Sequence, residues 1–178
     1  MIYESKFWKD DLLKQAKFLR SKTVQKRWTE ISSARLEQTI MLGFYSIRKL
    51  VEAKKLSDSI VIQNITASAY IWRGQPITTI NWLDIDKLYD LDVPKAVNKD
   101  LLFFCHQFVH SYIFIEYFND EHNLNGVFVS SERERYHMLY SLEIEQIIDI
   151  FEQAGNDYPK NITFTYNHKK QDYEVQSS

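Results

Sequence analysis

The 178-residue chain carries 22 basic and 24 acidic side chains, a net charge of −2, and is 44% hydrophobic. That balance belongs to a globular domain and excludes a long disordered tail, a collagen-like segment and a nucleic-acid binder driven by bulk charge. A single cysteine, Cys105, excludes an internal disulfide and multi-cysteine zinc sites, and four scattered glycines exclude a Gly-rich phosphate loop.

Residues 4–20 read as a helix, with Trp8, Leu12, Ala16 and Leu19 recurring at helical spacing. Thr23 is placed to cap the next helix. That second helical pattern runs from there through Trp28 and Ile31 to Lys54, strongest at Leu36, Ile40, Phe44, Ile47 and Val51, and its length suggests a kink near Ser32-Ser33. Gly43 costs that helix about 1 kcal/mol relative to alanine and lets a neighbouring helix come close. After Lys54 the β-branched and aromatic stretches 60–62 and 65–72 read as extended. A turn at Gly74-Gln75-Pro76 leads to a returning strand at 77–80, and 83–96 reads as an irregular connection. A helical pattern returns over 97–110, extending towards 114. A turn at 119–126 precedes a strand at 127–129, while 136–142 is open between strand and helix. Leu142, Ile144, Ile147, Ile148 and Phe151 predict a helix ending before Gly155 with a glycine cap. The stretches 162–166 and 172–175 pair as a hairpin around 167–170. The expectation is one α+β domain over 1–178, with a helical core at about 4–55 and 97–155 and β-rich segments at about 60–80 and 162–175.

Charges interrupt every apolar run before about 18 residues, so no spanning helix and no membrane partner are expected. The N-terminus lacks the pattern of a secretory signal, and a lone cysteine suits a reducing compartment, so a cytoplasmic location is expected.

Chemistry concentrates in Phe103-Phe104-Cys105-His106-Gln107-Phe108-Val109-His110-Ser111-Tyr112. On a helix, His106 and His110 lie about 40° apart around the axis. A metal site there needs a third ligand from His137, Glu116 or Glu132, and no H-E-x-x-H pattern accompanies the pair, so no metal is expected. Cys105, ringed by phenylalanines, reads as a buried structural thiol. Tyr45, Arg48 and Glu52 form a stripe on the most apolar helix. Arg48 either pairs with Glu52 at i,i+4 or faces the His110 helix to receive a phosphate. Glu132-Arg133-Glu134-Arg135 reads as a solvated turn, with Arg135 a second candidate for phosphate.

In spacing and context this segment resembles the HEPN superfamily, whose members carry an Arg, a polar residue and, five positions after the Arg, a His on a late core helix. Cys105 takes the Arg position, His106 the polar position and His110 the His position. The resemblance implies an HEPN-like helical core to which short antiparallel strands are added, and a homodimer formed through the His110 helix. It also implies a setting near toxin–antitoxin or phage-defence systems, with no cofactor. In such a ribonuclease the His exchanges a proton with the RNA 2′-hydroxyl and the Arg offsets charge on the phosphate. A cysteine cannot do the latter, so the leading expectation is a non-catalytic protein acting by binding or assembly. The first alternative is a metal-independent endoribonuclease with His110 catalytic, His106 in support, and Arg48 or Arg135 holding phosphate. The second is a small α+β module whose exposed aromatics dock a protein partner.

Overall fold

A computed structural model describes residues 2–177. In chain order the elements are α1 (Ser5–Lys22), α2 (Glu30–Glu52), α3 (Asp58–Val61), β1 (Asn64–Ile71), α4 (Ile85–Leu88), β2 (Lys95–Asp100), α5 (Leu101–Val109), β3 (Ser111–Phe118), β4 (Leu124–Ser131), β5 (Met138–Glu143), α6 (Ile144–Asn156), β6 (Ile162–Asn167) and β7 (Asp172–Ser177). Strands β1–β5 form one antiparallel sheet in the order β2-β1-β5-β4-β3, and β6 pairs only with β7. The fold is α+β. Strands β1–β5 form a central five-stranded layer; α5 and α6 lie against one face of it, and α1 and α2 pack on those two helices.

Alternation within each strand decides which residues meet the helices. Ile65, Ala67 and Ala69 of β1, Val127 and Val129 of β4, and Tyr140 and Leu142 of β5 join the main core with residues of α1, α2, α5 and α6. On the opposite face Ile113 and Leu139 pack with Ile77, Leu88 and Tyr89 in a smaller cluster, covered by the segment between β1 and β2.

Several boundaries differ from the sequence reading, each because a polar cap or turn overrides the apolar pattern. Thr23 closes α1 instead of opening the next helix. Thr29 opens α2, its hydroxyl accepting from the Ser32 N–H while Ser32 returns a bond to the Thr29 N–H, so Ser32-Ser33 belongs to a capped first turn and not to a kink. The stretch expected to be extended at 60–62 falls largely in α3, because Asp157 fixes Ser57 through its N–H at 2.7 Å and its hydroxyl at 2.6 Å just ahead of that turn. The returning strand expected at 77–80 is absent. Thr78 and Asn81 close a side-chain turn there, with the Thr78 N–H 2.7 Å from Asn81 Oδ1, and only Ile77 is buried. The connection at 83–96 holds α4 and the start of β2. The helix expected from 97 begins at Leu101, since Asp100 caps it by accepting from the Phe103 N–H at 2.7 Å. It stops at Val109 instead of continuing to 114, and the β-rich run after it pairs as β3. The ambiguous segment 136–142 contributes strand β5.

Two glycines act by letting helices approach. α6 runs through Gly155 instead of ending before it, and a Cβ at Gly155 would fall 2.7 Å from Leu13 Cδ2 of α1. At Gly43 of α2 a Cβ would overlap the Phe151 ring of α6. That ring is fully buried, edge-on to Phe44 with centroids 5.4 Å apart, and has nowhere to swing. Gly43→Ala is therefore expected to destabilise the protein by about 1–3 kcal/mol through overpacking, outweighing the alanine's gain in helix propensity. Urea unfolding checks this, and an unchanged midpoint would contradict the close approach.

Lys9 of α1 is buried to 1% exposure, and its ammonium donates to the carbonyls of Lys55, at 2.8 Å, and of Asp157. Burial holds this ammonium below the usual lysine range, while the Asp157 carboxylate pulls the other way.

Candidate functional site

α2 and α5 meet through Phe44 and Phe108, whose rings stack 4.1 Å apart at 7°. Arg48 lies one turn beyond Phe44, and His110 two residues beyond Phe108. That stacking carries the Arg48 and His110 side chains to the same edge of the helix pair. Arg48 Nη1 is 3.0 Å from His110 Nε2, and Arg48 Nε donates to Glu52 Oε1 at 3.0 Å. Lys49 completes the cluster, donating to Glu52 Oε2 at 2.5 Å. Arg48 thus makes the Glu52 pair and a contact to His110 at the same time. Hydrogen bonding from Lys49, with Arg48 adding to it, holds the Glu52 carboxyl below the usual carboxylate range.

A guanidinium only donates, so His110 Nε2 is the acceptor and the ring carries its proton at Nδ1. The His110 backbone is fixed on both sides. Its N–H donates to the His106 carbonyl at 3.1 Å, and its own carbonyl accepts from the Glu132 N–H at 3.0 Å. The ring itself is exposed. A groove of about 410 Å³ opens beside it, lined by His106, Gln107, His110, Glu132, Arg133 and Glu134 among others. The His106 and His110 ring centroids are 6.2 Å apart at 69°. Buried Gln107 braces the groove floor by accepting from the Ser131 N–H at 2.9 Å.

The remaining candidates fall elsewhere. Cys105 is fully buried, and burial pushes its thiol up to about 12, which removes it from thiolate chemistry. Arg135 does not line the groove. Its guanidinium lies 3.7 Å from the Tyr112 ring centroid and pairs with Glu132 Oε1 at 3.1 Å. In the alternating run 132–135, Arg133 is the arginine that reaches the groove, a placement that charge alternation alone does not distinguish. Among the described residues no group of three His, Cys, Asp or Glu side chains is arranged to hold a metal ion, and no helix is long and apolar enough to cross a membrane.

The groove itself is lined by one arginine, Arg133, between the carboxylates of Glu132 and Glu134, while Arg48 reaches His110 from beside it; the two histidines supply imidazoles at solvent. No family model, curated protein or solved structure matches this chain.

Proposed function

We propose that Arg48, His106 and His110 form a phosphodiester-handling site and that the protein is a metal-independent endoribonuclease. The observation that carries this reading is the 3.0 Å contact between Arg48 Nη1 and the solvent-facing His110 Nε2. It supplies, from a neighbouring helix, the cation that the HEPN pattern places five residues earlier and that Cys105 cannot provide. In this reading α1, α2, α5 and α6 are the counterpart of the HEPN core, and α5 is its histidine-bearing helix.

An RNA phosphate entering the groove is a stronger acceptor than an imidazole nitrogen, so the guanidinium transfers its Nη donors from His110 to a non-bridging oxygen. Nε2 is then free to take the 2′-hydroxyl proton as O2′ attacks phosphorus. The P–O5′ bond breaks and a protonated His106 gives its proton to the leaving oxygen. The products are a 2′,3′-cyclic phosphate and a 5′-hydroxyl. Glu52 keeps Arg48 oriented through Nε throughout.

The test is cleavage of single-stranded RNA by the full chain in excess EDTA, with the ends identified. Arg48→Gln is expected to slow cleavage about 10²–10³-fold with little change in stability, because its Glu52 pair is solvent-exposed. RNA bound but left intact would restore the binding-only reading, and a requirement for a divalent metal would overturn this chemistry.

A further inference from the structure

The β6–β7 hairpin is amphipathic by register. Phe164 faces Val175 and Tyr166 faces Tyr173, so with Ile162 these side chains share one surface, while Thr163, Thr165, Glu174 and Gln176 occupy the other. Tyr173 lies edge-on to both neighbours, its centroid 5.2 Å from Tyr166 and 6.4 Å from Phe164. Such a face is normally covered, yet Phe164 is 63%, Tyr173 58% and Tyr166 44% exposed. A two-stranded ribbon has little stability of its own. This one is tied at its base, where the Ser177 N–H donates to Asp58 Oδ2 at 3.1 Å and its hydroxyl to the Leu56 carbonyl at 2.7 Å.

The aromatic face looks across a cleft of about 440 Å³ onto Glu52 at the end of α2 and the Lys54 and Lys55 that follow it, which form the opposite wall. Glu52 is the residue that orients Arg48, so the cleft adjoins the phosphate-handling groove across a single side chain. Its lining is mixed in charge: Lys54 and Lys55 stand beside Glu52, which Arg48 and Lys49 already hold, and Asp172 stands on the hairpin side. Lys54 and Lys55 stand on the wall and Lys169 at the hairpin tip, and none of the three has an acidic partner within ion-pair distance among the described residues. Flat rings on one wall and unpaired ammonium groups around them are what a single-stranded nucleic acid requires, since its bases stack and its phosphates pair. An apolar peptide would leave those lysines without partners.

We propose that the aromatic hairpin face and the Lys54–Lys55 segment that follows α2 form a subsite for unpaired bases of single-stranded RNA, extending the Arg48–His110 groove. The inference rests on RNA being that groove's substrate. It is tested with the full chain carrying His110→Ala, titrated in EDTA with a fluorescent single-stranded oligouridylate and with a base-free ribose-phosphate oligomer of equal length. Adding Phe164→Ala and Tyr166→Ala is expected to raise Kd for the oligouridylate about tenfold or more, and to leave the base-free oligomer unaffected. Tyr173→Phe, which keeps the ring, is expected to bind like its parent. With His110 intact, the same pair of substitutions should raise KM and spare kcat. An unchanged Kd overturns the subsite, and does so without touching the catalytic reading if cleavage still depends on His110. Hairpin-dependent binding with no cleavage by any variant upholds the subsite and removes the catalytic reading. A dimer of the unaltered protein that the paired substitutions convert to monomer by light scattering shows a subunit interface instead and overturns the subsite.

Discussion

Replacing His110 with alanine is expected to slow cleavage of single-stranded RNA by about 10²–10⁴-fold, with folding intact. The ring is exposed, so its loss opens no cavity in the core. The bonds that fix this position, to the His106 carbonyl and from the Glu132 N–H, belong to the backbone and survive the substitution. Arg48 loses one acceptor but keeps Glu52 at 3.0 Å, so its guanidinium stays where it is. RNA affinity is therefore expected to change little while the proton-transfer step fails, and the loss should appear in kcat more than in KM. Single-turnover cleavage in EDTA, with RNA binding measured on the same preparations, separates the two effects. Added imidazole should restore part of the rate, because the alanine leaves an open space at the groove. An unaltered rate would remove His110 from the chemistry.

Phe44→Ala is expected to cost about 3–5 kcal/mol of stability, a large fraction of what holds a domain of this size folded. The ring is fully buried, stacked face to face on Phe108 at 4.1 Å and edge-on to Phe151 at 5.4 Å, so three helices lose a common contact. Because α2 and α5 meet through this stack, the change also loosens the placement of Arg48 against His110 one turn further on. Activity measured well below the unfolding midpoint should fall even though neither site residue is altered. Phe44→Leu, which fills most of the space, is expected to recover much of both losses. Urea unfolding reads the stability, and a change smaller than about 1 kcal/mol would mean that the ring is not the shared support of these helices.

Helical spacing made α1, α2 and α6 readable, because each buries one stripe in the same core. The final hairpin was readable from its alternating aromatics and the polar tip between them. Boundaries failed where a short polar side chain decides the local conformation. Asp100 starts α5 only at Leu101, and Ser57, held by Asp157, turns a β-branched run into α3. The histidines were picked out by a four-residue spacing read as one helix, but α5 ends at Val109 and His110 is its C-terminal cap. Their contact with Arg48 spans 62 residues of sequence, and Arg48 carried a local signal only for Glu52. Of the two arginines singled out in the sequence, the packing of α2 on α5 brings Arg48 beside His110 and leaves Arg135 between tyrosines.

The buried ammonium of Lys9 binds the order of synthesis to the final shape. It is made early, yet one of the carbonyls that satisfies it lies 148 positions later. Until that part of the chain has emerged, the first helix must keep a charged group in water on the side destined for the interior. α1 therefore cannot dock fully until the segment that carries Asp157 is in place.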